Sequence, residues 1–258
     1  MTPRIVSLLP SATEIVCALG YRENLVGRSH ECDFPIGVER LPVCTAPKIR
    51  VDGDSREIYE QVTGVMRDHL SVYDVHEDLV RSLSATHIVT QTVCDVCAVS
   101  LRDVASLGPR TVALSAVTND GIFDDVRAVA EAIEADPDPL LRSMHARLAS
   151  VQSDRGTRPR VAAIEWLSPL MAAGNWVPEL IELAGGIAAL GCAGEHSPWI
   201  EFEVLANADP DVIVLMPCGF TMERTRADLH FLTDEPGWRD LRAVRDGPED
   251  ECEREAAQ

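Results

Sequence analysis

The chain's opening constrains its fold more than any other feature. Arg4 to Leu9 is an apolar run cut by Pro10, and a run so short without polar alternation suits a strand buried on both faces of a parallel sheet. Ser11-Ala12-Thr13-Glu14 follows with capping-box spacing, Ser11 placed to cap and Glu14 to reach back. Ile15, Val16 and Leu19 give that helix its apolar face, and Gly20 stands where a helix stops. Leu25 to Arg28 reads as a second strand. Strand, helix, strand is the signature of a parallel sheet with right-handed crossovers.

The alternation continues. Helices are expected over Asp54–Leu70, His76–Leu83 and Leu101–Leu107, and strands over Thr86–Thr90 and Thr111–Leu114. Asp124 to Ser150 is helical on both sides of Asp136-Pro137-Asp138-Pro139 and runs into a polar stretch, Ser153–Pro159, that marks a boundary. Beyond it come a strand over Arg160–Trp166, helices over Pro178–Leu183 and Glu201–Asn207, a strand over Asp211–Met216 and a weak element over Gly237–Val244. The expected class is therefore α/β: two lobes with mostly parallel sheets, joined by one long helix, with a ligand cleft between them. The expected divisions are residues 1–120 for the first lobe, 121–158 for the connecting helix and linker, and 159–258 for the second lobe.

Composition excludes some partners. A net charge of −19 argues against nucleic acid, because phosphate binding needs a basic surface. No apolar run reaches the roughly 18 residues of a membrane span. The N-terminal stretch carries Arg4, Pro10 and Glu14 within its apolar part and leads to no small-residue cleavage site, so the chain as written reads as cytoplasmic. Its eight cysteines do not form a disulfide framework for a chain of 258 residues. A monomer is expected.

The unusual residues fall after strands, where open α/β sheets bind ligands. His30-Glu31-Cys32-Asp33 follows the second strand, Gln91, Cys94 and Cys97 follow the Thr86–Thr90 strand, Glu165-Trp166 ends another, and Pro217-Cys218-Gly219-Phe220 follows the last. Cys94-Asp95-Val96-Cys97 is a C-x-x-C before a helix, a place for a lowered thiol pKa or for half of a zinc site. His30, Cys32, His196 and Cys218 are the available further ligands; two packed thiols lining a loop is the plainer alternative. Trp199, in His196-Ser197-Pro198-Trp199, suits a flat wall for a planar ligand. Nothing catalytic stands out: G-x-S-x-G, G-x-G-x-x-G after the first strand, the P-loop and H-E-x-x-H are all missing. No enzyme and no catalytic cofactor are expected.

Arg4 through Glu14, the His30–Pro35 turn, Val161–Gly186, and Trp199 with Asp211–Val214 together resemble the iron-siderophore and cobalamin group of ABC-transporter substrate-binding proteins, and its cobalamin-binding branch most closely. The resemblance covers residues 4–245. It implies two α/β lobes bridged by a helix, cobalamin or a related corrinoid as bound ligand, and a membrane permease as partner. His30, Gln91, Trp166 and Trp199 become the ligand-binding residues, and Asp78 and Glu203 the carboxylates that dock to the permease. His30 and Gln91 stand where that branch has aromatics, which makes the site more polar. The family's location would be periplasmic or at the cell surface if the start site lies elsewhere. An iron chelate or a metal held by Cys32, Cys94, Cys97, His196 and Cys218 is the alternative ligand, and a cytosolic thiol enzyme the alternative class. Relatives continue past Val244 with a strand and a helix, whereas Gly247–Glu255 here is a charged run that reads as a disordered tail on a truncated second lobe with a bare sheet edge.

Overall fold

A computed structural model describes residues 2–67, 71–94, 96, 99–151 and 156–246. The chain divides into two units: Met1–Gly53 with Glu60–Ser150, and Asp54–Tyr59 with Val151–Gln258.

In unit 1, β1 (Ile5–Ser7) is flanked by β2 (Leu25–Arg28) and β5 (His87–Gln91), and β6 (Arg110–Leu114) follows β5, giving the order β2-β1-β5-β6. Every pairing in this sheet is parallel. Alternating side chains of β1 go to opposite faces. Ile5 joins Val16 of α1 (Pro10–Ala18) and Val129 and Ile133 of α5 (Asn119–Ile133). Val6 joins Val80 of α3 (Glu77–Ser82) and Val104 of α4 (Leu101–Val104). Both faces are covered, which is why the opening strand reads as an unbroken apolar run. A two-stranded antiparallel ribbon, β3 (Thr45–Pro47) with β4 (Tyr73–Val75), completes the unit.

Two local expectations change. Ser11 does not cap α1: Leu9 holds the N-cap position without a side-chain bond, and Pro10 opens the helix. The fixed φ of proline suits the first helical position, where its missing N–H costs nothing. The helical joint is two helices, α5 and α6 (Asp138–Ser150), because Glu134 takes a left-handed conformation that ends α5. α6 packs Leu141 against Phe123 and Val126 of α5, and both helices group with unit 1.

Unit 2 centres on β7 (Arg160–Trp166). β10 (Val212–Leu215) lies parallel along one edge of β7; β9 (Ile187–Ala188, parallel) and β8 (Met171–Ala172, antiparallel) also pair with it. Ala162 and Ile164 pack with Leu205 of α8 (Phe202–Ala208) and with Leu232 and Leu241, while Ala163 packs with Val177 of α7 (Val177–Leu183). α9 (Met222–Asp228) and α10 (His230–Thr233) follow β10, and α11 (Arg242–Arg245) ends the described chain. β10 is the outer strand of the described sheet, with Val212, Val214 and Met216 exposed. The Gly247–Glu255 run read as a tail lies outside the described residues.

One element belongs to both units. α2 (Ser55–Arg67) begins in unit 2 and continues in unit 1. Its first turn is held within unit 2 by the buried Asp228, whose carboxylate accepts from Ser55 N at 2.7 Å. Arg56 adds a bond from Nε to Ser168 Oγ at 3.2 Å and lies over the Phe231 ring.

Candidate ligand-binding faces

On unit 1 the carboxyl ends of the strands carry a hydroxyl and imidazole cluster. Arg28 ends β2 and ties down the turn after it, donating from Nη1 to the carbonyls of Ser29 (2.9 Å) and Cys32 (3.1 Å) and from Nη2 to that of Glu39 (3.1 Å). This fixes His30. Its backbone N–H donates to Thr45 Oγ1 at 3.0 Å, and its Nδ1 lies 2.7 Å from the same oxygen. Nε2 is buried, 3.2 Å from Glu31 Oε1 and off hydrogen-bond geometry. The His30 ring beside it holds the Glu31 carboxyl below its ordinary value, against the opposing effect of burial. Tyr73 tilts against the imidazole, with ring centres 5.5 Å apart.

Gln91 takes a different part from the one expected. It is 5% exposed, its Oε1 accepts from Cys94 N at 2.8 Å and its Nε2 donates to Cys94 O. A side chain used this way shapes the loop after β5 rather than facing a ligand.

The expected metal set does not assemble among the described residues. Among the described residues no three of histidine, cysteine, aspartate and glutamate converge as a metal site. Cys32 is 1% exposed, packed 3.0 Å from Thr13 Oγ1, and burial pushes its thiol pKa up. At this burial the side chain is part of the core of unit 1. Cys94 accepts a bond from Val96 N at 3.4 Å, and His196 and Cys218 lie exposed. Cys97 lies outside the described residues.

Unit 2 presents aromatics instead. Trp166 ends β7, and its indole N–H is shared between Ser55 O (3.0 Å) and Ser168 O (3.1 Å). Phe220, in the loop after β10, meets it edge-to-face at 5.2 Å. Tyr59, one turn along α2 from Ser55, meets Trp199 edge-to-face, also at 5.2 Å. Trp199 keeps 52% of its surface exposed. Four aromatics of unit 2 therefore meet in two edge-to-face pairs, in a chain only 5% aromatic.

The loop that carries Trp199 is clamped from beneath. Ser197 Oγ donates to the Glu165 carboxylate and accepts from Gly174 N at 3.0 Å. Asn175 N donates to Glu195 O at 2.6 Å. A Cβ at Gly174 would lie 2.6 Å from Glu195 O and Ser197 N, so only glycine lets the two backbones approach. Burial raises the Glu165 pKa, and the Ser197 hydroxyl opposes that rise.

Asp78 and Glu203 lie exposed in the first turns of α3 and α8, where a carboxylate suits the helix dipole. His30 follows β2 and Trp166 ends β7, where the sequence put them, and Tyr59 was not singled out. No spacing signal brings Tyr59 to Trp199, because most of α2 belongs to the other unit.

No family model matches the chain, and no curated protein matches it significantly. Solved structures do. An ABC-transporter substrate-binding protein from Listeria monocytogenes matches with TM-score 0.70 at 15% identity, over 95% of this chain and 87% of that one. A periplasmic heme-binding protein from Roseiflexus gives 0.67 at 22% identity, again over 95% and 87%. A periplasmic vitamin B12-binding protein from Vibrio cholerae gives 0.53 at 19% identity, over 95% and 94%. At these identities the likeness shows the fold, that of two-lobed substrate-binding proteins with a helical connection.

Proposed function

We propose that this chain is the substrate-binding component of an ABC importer and captures a flat, metal-bearing tetrapyrrole. A corrinoid is the form favoured by the sequence resemblance, and heme is the ligand named for the Roseiflexus protein, whose TM-score exceeds that of the vitamin B12-binding one. The observation that carries the reading is the aromatic face of unit 2 around the half-exposed Trp199. Large aromatics held rigid in this way offer planar area to a planar ligand at little entropic cost. Binding takes place without chemistry, the ligand leaving as it arrived.

Within this reading the protein acts as a monomer outside the cytoplasmic membrane, in place of the cytoplasmic location its N-terminus suggested. Asp78 and Glu203 are its contacts to the permease. Among the described residues no helix is long and apolar enough to cross a membrane. A cytosolic thiol enzyme using Cys94 and Cys97 is the alternative class. Tryptophan fluorescence tests the reading. Hemin or cyanocobalamin at micromolar concentration should quench the wild-type chain, and Trp199→Ala should weaken the quenching ligand about tenfold or more. Equal affinity in wild type and variant would remove the aromatic face from the account.

A further inference from the structure

The amino ends of β5 and β6, at the far end of their sheet from the strand-end face, border a cavity of about 400 Å³. Val80 of α3 and Leu107 give it an apolar floor, 1% and 6% exposed. Its polar lining consists of donors. Arg110 opens β6, and its exposed guanidinium donates from Nη1 to Ala132 O at 3.3 Å. Arg81, in the last turn of α3, donates from Nη2 to Glu77 Oε2 at 2.9 Å. Among the described residues these bonds leave further N–H groups on both guanidiniums without an acceptor. Ser84 adds a hydroxyl, held at a left-handed φ of 50° just past the end of α3. Ala85 and Gly108 line the cavity too, and among the described residues their backbone N–H groups have no hydrogen-bond partner. No carboxylate of the described residues lines it.

We infer that this cavity is a second binding site, one that takes the phosphate group of a small phosphomonoester. Guanidinium forks and unpaired backbone amides are the donors that hold oxyanions. Two arginines, a hydroxyl and two amides outnumber what the two oxygens of a carboxylate can use, and they match the three oxygens of a phosphate ester. A cation would meet two fixed positive charges and no carboxylate. The volume suits a small ligand rather than a bare ion, and Val80 and Leu107 offer apolar surface to the ester's body. The Arg81–Glu77 pair is exposed on both sides, so an entering phosphate competes for that guanidinium at little cost. The chain's net charge of −19 repels anions at long range, a repulsion that salt screens.

Amide proton–nitrogen NMR spectra test the site, with inorganic phosphate and phenyl phosphate titrated into wild type, Arg110→Gln and Arg81→Gln at constant pH and ionic strength. In wild type the Ala85 and Gly108 amides should shift saturably, with a dissociation constant for phenyl phosphate in the millimolar range or tighter. Phenyl phosphate should bind more tightly than inorganic phosphate, because its ring covers the apolar floor. Each variant should bind about tenfold or more weakly, the effect of losing charge-assisted bonds. Tryptophan quenching by hemin or cyanocobalamin should be the same in all three chains, since neither arginine belongs to the aromatic face of unit 2. Shifts that stay linear in ligand concentration overturn the site, and so does equal saturation in wild type and both variants. Phenyl phosphate binding no tighter than inorganic phosphate overturns the ester as ligand in favour of the free anion.

Discussion

Glu165 shows how a single side chain serves the aromatic face. It sits beside Trp166 at the end of β7 and accepts from Ser197, two residues before Trp199. Burial raises its pKa above the ordinary 4.5. A carboxyl whose folded pKa exceeds its unfolded one destabilises the fold while ionised. Unfolding free energy should therefore rise as pH falls through the folded pKa toward 4.5, with the gain complete below that value. Glu165→Gln keeps an acceptor for Ser197 and removes the charge. It should stabilise the chain at neutral pH and flatten that slope, as measured by denaturant unfolding across the pH series. A variant with the wild-type slope would move the titration elsewhere. The identity of such residues was visible in the sequence, but their partners were not. Gln91 reads as a polar site residue until its amide is seen bonded to Cys94, and Cys32 reads as a ligand until its burial is known.

At the scale of elements, legibility followed length and burial. β1, β5, β7 and β10 lie in apolar runs that periodicity finds. β8 and β9 have two residues each, and β3 has three ending in Pro47, too few for any period to show. The α9–α10 segment was also missed. The first turn of α2 was found as helix, but its membership of unit 2 depends on Asp228, 173 positions away from Ser55. The clamp beneath Trp199 is likewise a pairing of loops distant in sequence. Gly174→Ala forces a methyl into backbone atoms 2.6 Å away. It should cost about 1–3 kcal/mol of stability and weaken ligand quenching of tryptophan fluorescence, because the loop carrying Trp199 must shift. A variant of wild-type stability would contradict the close approach.

For the whole molecule, the alternation of strands and helices was enough to give two α/β units, and solved structures of the same fold bear that out. Ligand identity was not legible in the same way. It depends on which side chains meet: in unit 2 Trp166 meets Phe220 and Tyr59 meets Trp199, and among the described residues no group of histidine, cysteine and carboxylate side chains converges as a metal site. Net charge, which argued against nucleic acid, left small ligands open. Equilibrium dialysis of the purified chain against hemin and against cyanocobalamin tests the central claim most directly. Retention of one of them at about one ligand per chain, with a dissociation constant in the micromolar range or tighter, is the predicted result. Retention of neither at micromolar concentration would contradict the account.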